Sequence, residues 1–138
     1  MPLIHERFPT FQQVLQNVEQ NAIVNVEIKY PANAPPGFPS RSLLIFNTLK
    51  ILEKFPQRQA YFSTFEPIVC LLLKYCQQKY PVYYLNAGHG LFGEIDKLER
   101  PELLKWFEKG VLFAKDNKLQ GVVTFCTHVK LEGFALLA

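Results

Sequence analysis

"AIVNVEIKY", residues 22–30, decides how the rest of the chain is read. β-Branched residues dominate it and it alternates, with Val24, Val26 and Ile28 on one face of an extended strand and Asn25, Glu27 and Lys29 on the other. On this pattern alone Glu27 and Lys29 are polar residues of a half-exposed strand facing water. In a parallel sheet covered by helices, however, charges on an inner face are costly unless they bind something. If such a sheet curves into a barrel, the carboxyl end of the strand opens on the mouth where active sites form. The surrounding sequence has to decide between these.

Upstream, "TFQQVLQNVEQN" places Phe11, Val14, Leu15 and Val18 at helical spacing, and Thr10 with Gln13 makes a capping box, so a helix is predicted over 10–21. Downstream, "PANAPPGFPS" (31–40) holds four prolines and a glycine in ten residues and reads as a long loop. "RSLLIFNTLKILEKF" (41–55) resumes helical spacing and "RQAYFS" (58–63) reads as a second strand. In "TFEPIVCLLLKYCQQ", Pro67 is tolerated in a first turn, so a helix opens near Glu66. "YPVYYLNAG" (80–88) supplies a third strand, "GHGLFGEIDKLE" (88–99) a loop, "RPELLKWFEKGVLFAKDN" (100–117) a helix despite Gly110, and "LQGVVTFCTHV" (119–129) a fourth strand. Four strands alternating with helices define an α/β fold of parallel βα units.

The totals set the remaining bounds. A chain of 138 residues, 49% hydrophobic and 20% charged, can bury one sizeable core, so residues 1–138 read as one domain or part of one. The net charge of +3 and pI near 8.8 come from scattered Lys and Arg, without a stripe that would track nucleic-acid phosphates. Cys70, Cys76 and Cys126 form no C-x-x-C pair and leave an odd thiol, the pattern of reduced cysteines in a cytoplasmic protein. "MPLIHERFP" has no apolar signal core, and the longest apolar run, "IVCLLL" (68–73), is far short of the ~20 residues a membrane span needs.

Four stretches in order, "FPTFQQVLQ", "VNVEIKYP", "AYFSTFEPIVCLLL" and "YPVYYLNAG", resemble consecutive motifs of the glycerophosphodiester phosphodiesterase family, in particular its eukaryotic glycerophosphocholine-hydrolysing branch. The resemblance covers about residues 8–88 and extends more loosely to Val123. It implies a TIM-like barrel that hydrolyses small-molecule glycerophosphodiesters to glycerol 3-phosphate and an alcohol, using one divalent cation, Mg²⁺ or Ca²⁺. It also implies that Glu27 of the E-x-K motif ligates the metal and that Lys29 faces the phosphate as the catalytic cation. A hard cation takes carboxylate oxygens, and an ammonium offsets charge developing on phosphoryl oxygens, so the residue types suit these roles. By the same resemblance Ser63 and Phe65 of "FSTF" bind substrate near the mouth, Phe65 against the glycerol or head group. Read without the family, Ser63 or Thr64 equally caps the helix opening near Glu66 while Phe65 packs in the core.

The resemblance also implies what is missing. The family's two acid–base histidines and its E-x-D carboxylates precede the segment that matches "FPTFQQVLQ", before which only "MPLIHER" stands here. The strands then correspond to the third to sixth of the family barrel, giving a partial TIM-like barrel whose open edges favour self-association and whose partial site is expected to be inactive alone. His5, His89 and His128 are the available imidazoles. His89 and His128 follow the third and fourth strands and read as exposed loop residues, and His5 matches no family histidine. Trp106 reads as core packing on a helix face. The alternatives are a non-catalytic phosphodiester-binding or regulatory module, and an α/β interaction domain in which Glu27 and Lys29 are merely solvated.

Overall fold

A computed structural model of the chain describes residues 8–31, 33–86 and 100–124. Helix α1 (Phe11–Asn17) opens on the expected capping box: the Gln13 N–H donates to Thr10 Oγ1 at 3.3 Å and the Thr10 N–H donates to Gln13 Oε1 at 2.8 Å. It stops at Asn17 rather than near 21, because Val18 turns extended and the buried Arg58 guanidinium collects the carbonyls of Leu15, Val18 and Glu19. Those carbonyls lie at the helix end, where intrahelical partners run out.

The strands β1 (Val24–Glu27), β2 (Ala60–Thr64), β3 (Val82–Leu85) and β4 (Gly121–Val123) form a parallel sheet in the order β1-β2-β3-β4. Between them run α2 (Arg41–Glu53), α3 (Pro67–Cys76) and α4 (Arg100–Asp116). Each strand therefore lies beside its successor, as in a barrel wall, and the order never reverses as it does in a doubly wound sheet. The α/β expectation holds, and the topology is that of part of a TIM-like barrel. α3 begins as its sequence suggests, with Glu66 as the N-cap and Pro67 in the first turn. α3 packs on β2 and β3, and α4 packs on β3 and β4.

Alternation along the strands puts one face of the sheet under the helices. Val26, Ile28, Phe62 and Val82 meet Leu15 of α1, Ile45 and Leu52 of α2, and Val69, Cys70 and Leu73 of α3 in one buried cluster. Burying each large side chain is worth about 1.5–3 kcal/mol, so this cluster dominates the stability of the sheet. Burial also pushes the Cys70 thiol up to about 12, while Tyr84, edge-on to Phe113 at 5.0 Å, is raised by burial and then by the charges of Cys70 and Glu66. Cys70 and Cys76 carry no disulfide.

α4 sits close on the end of β3 for a reason found in Gly110. A β-carbon there would lie 2.1 Å from Nδ2 of the buried Asn86, which donates to the Trp106 carbonyl at 3.0 Å. Trp106 does not bury as expected: it stays 40% exposed with the Lys109 ammonium 5.3 Å from its ring centroid. His5, His89, His128, Cys126 and the loop expected at 88–99 lie outside the described residues.

Candidate functional site

The other face of the sheet is set by register. Glu27, Ser63, Tyr83 and Gly121 are Cα partners across the four strands and so lie in one row of that face. Asn25 and Tyr61 pair in the row toward the amino end, and Leu85 and Val123 pair in the row toward the carboxyl end. In a barrel wall with its helices outside, this face is the interior, and the carboxyl end is the mouth.

Glu27 is the last residue of β1, and Lys29 follows one alternation later, just past the ladder bond from the Ile28 N–H to the Ser63 carbonyl at 2.9 Å. Both side chains leave on the same side, as expected, and the Lys29 ammonium lies 3.6 Å from Glu27 Oε1. The lysine side chain is 77% exposed and the glutamate 33%, so water screens the pair and it contributes little to stability. A carboxylate and an ammonium thus stand exposed together at the carboxyl end of β1.

Ser63 lies beside Glu27 in the row but is buried, and its hydroxyl donates to Asn25 Oδ1 at 2.8 Å. Thr64 points to the helix side, where its hydroxyl donates to the Ile28 carbonyl at 2.8 Å and accepts the Glu66 N–H at 3.1 Å. Neither residue is the helix cap, which is Glu66 and makes no side-chain capping bond. Phe65 is 39% exposed at the turn after β2 and stays out of the core.

Three polar residues here escape a motif reading. Asn25 holds the Ser63 hydroxyl, and Arg41 Nη2 reaches Glu66 Oε2 at 3.2 Å while its guanidinium lies 4.0 Å from the Tyr30 ring centroid. The local signal for Arg41 was its place in the first turn of a helix, where a cation opposes the helix dipole. For a divalent cation the chemistry of the donors fits in kind, since Glu27 offers a hard carboxylate oxygen toward the mouth. It does not fit in number: among the described residues no three His, Cys, Asp or Glu side chains gather, against the ~6 oxygens such ions take. Among the described residues no helix is long and apolar enough to cross a membrane.

Comparison with known proteins bears out the resemblance read from the motifs. A glycerophosphocholine phosphodiesterase homologue of Caenorhabditis elegans is 34% identical over 92 residues, which are 62% of this chain and 13% of that protein. The glycerophosphocholine phosphodiesterase of Rattus norvegicus is 27% identical over 93 residues, 61% of this chain and 14% of that protein. A glycerophosphodiester phosphodiesterase of Arabidopsis thaliana is 26% identical over 117 residues, 83% of this chain and 30% of that protein. The chain therefore spans between 13% and 30% of the length of these relatives. No family model and no solved structure matches it.

Proposed function

We propose, for a chain similar to part of the glycerophosphodiester phosphodiesterases, that the open face at the carboxyl end of β1 is the phosphodiester-binding portion of such an active site. The observation that carries this reading is the placement of Glu27 and Lys29 together on the face opposite the described helices, 3.6 Å apart and open to solvent. Lys29 would lie against the phosphoryl oxygens of a glycerophosphodiester such as glycerophosphocholine, an arrangement that stabilises negative charge. Glu27 would give one oxygen to a Mg²⁺ or Ca²⁺ ion completed by water and substrate, and that ion would supply Lewis-acid polarisation of the phosphate when bound. Phe65 would meet the glycerol or head group, and Ser63 would hold Asn25 in the floor of the face.

Among the described residues the site has one carboxylate and one ammonium, a partial set, so turnover by this chain alone is not expected, and the edges of β1 and β4, unpaired among the described residues, favour association with another sheet. A second reading, a non-catalytic phosphodiester-binding or regulatory module, is favoured by the same exposure of Lys29, which suits capture of an anion without a bound cation. Titration of glycerophosphocholine into the purified chain, with and without Mg²⁺, together with an assay for glycerol 3-phosphate, tests both. Weak binding lost in Lys29→Gln, weakened without Mg²⁺ and unaccompanied by turnover, supports the partial site, and metal-independent binding favours the second reading. Turnover abolished by Glu27→Gln would replace both with a working enzyme.

A further inference from the structure

Lys29 lies beyond the last ladder bond of β1, so the sheet no longer fixes its backbone there. Both of its neighbours are tied to the turn after β2. On one side the Ile28 carbonyl accepts the Thr64 hydroxyl at 2.8 Å, and Thr64 Oγ1 in turn accepts the Glu66 N–H at 3.1 Å. On the other side Tyr30 carries the Arg41 guanidinium on its ring at 4.0 Å, and Arg41 Nη2 donates to the Glu66 carboxylate at 3.2 Å. Tyr30 is fixed further by Phe38, edge-on with ring centroids 5.5 Å apart.

The charges make this a device with a cost. Glu66, as N-cap of α3, is at the end of a helix that favours a carboxylate, whereas Arg41 occupies the first turn of α2, which does not favour a cation. Arg41 Nε is also buried without a partner among the described residues. Local preference therefore does not explain the arginine, and its link to the facing loop does. Arginine suits such a link because its planar group stacks on an aromatic ring and pairs with a carboxylate at once.

We propose that Arg41 and Glu66 are a positioning pair: their ion pair fixes Tyr30 on one side of Lys29 while Thr64 ties Ile28 on the other, and so aims the Lys29 ammonium beside Glu27 at a bound phosphodiester. The inference rests on the phosphodiester-binding reading above. Arg41 need not touch the ligand; its effect passes through Tyr30.

The test is the affinity of the 138-residue chain for glycerophosphocholine with Mg²⁺, followed at the Lys29 amide by NMR, in the wild type, Lys29→Gln, Glu66→Gln, Arg41→Gln, Arg41→Lys and the Arg41→Gln/Glu66→Gln double variant. Chemical denaturation of each variant separates loss of aim from loss of fold. Expected are roughly tenfold weaker binding in Glu66→Gln and in Arg41→Gln, no further loss in the double variant, and partial recovery in Arg41→Lys. Glu66→Gln is decisive because it removes a negative charge from the mouth. If Arg41 acted only as a cation on the ligand, that change would tighten binding, so unchanged or tighter binding in Glu66→Gln overturns the positioning role while a loss in Lys29→Gln leaves the site reading standing. No response in the wild type, or full affinity in Lys29→Gln, overturns the site reading and this inference with it.

Discussion

Phe62 and Ser63 are neighbours on β2 and both are buried, at 0% and 1% exposure, but they are buried by different means. Phe62 enters the apolar cluster under the helices, edge-on to Tyr80 at 6.0 Å, whereas Ser63 is covered on the opposite face and gives its hydroxyl to Asn25. On β1 the contrast repeats, with Val26 and Ile28 against helices and Asn25 and Glu27 toward the open side, whereas β2 and β3 place the edge-on Tyr61–Tyr83 pair on that side. The helix-covered face holds the fold by area removed from water. The open face ends, at the carboxyl end of β1, in the solvent-screened Glu27–Lys29 pair, which contributes little to stability.

The largest expected effect breaks the covered face. Phe62→Ala should lose about 3–5 kcal/mol of unfolding free energy in a denaturant titration, since a fully enclosed ring leaves a cavity its neighbours cannot fill. A loss under about 1 kcal/mol would mean the helix layer is not the source of stability. Next, Gly110→Ala should cost about 1–3 kcal/mol by driving a methyl into Asn86, although alanine is the better helix former. Adding Asn86→Ala should recover part of that loss in the same titration, and a Gly110→Ala chain more stable than the parent would contradict the contact. The smallest effect sharpens the contrast from the other side: Glu27→Gln and Lys29→Gln should each change stability by no more than about 0.5 kcal/mol. A larger fall would make the open face part of the framework.

How much of this was legible follows from the range over which each feature is decided. Glu27 and Lys29 share a face because of a two-residue alternation, and Pro67 marks the start of α3 within one turn, so both could be read locally. The end of α1 could not, because Arg58, 43 residues from Leu15, takes its carbonyls. Gly110 looked like a weakness in a helix until Asn86, from the end of another element, was seen to need its space. At the site, the Asn25–Ser63 bond depends on the register between two strands, and the Arg41–Glu66 pair spans 25 residues. Nothing in a motif or a period encodes such pairings.

Arg58 has a consequence for how the molecule opens. Helix α1 is 7 residues long, too short to persist by itself in water. Its exit is bound to the residue two positions before β2, so the guanidinium works as a non-covalent staple around the whole segment that contains β1 and α2. α1 then cannot fray alone without leaving a buried cation stranded. Instead of being the first element to melt, the short helix is coupled to β2 in one cooperative opening unit, and the strand that carries Glu27 is enclosed within that unit.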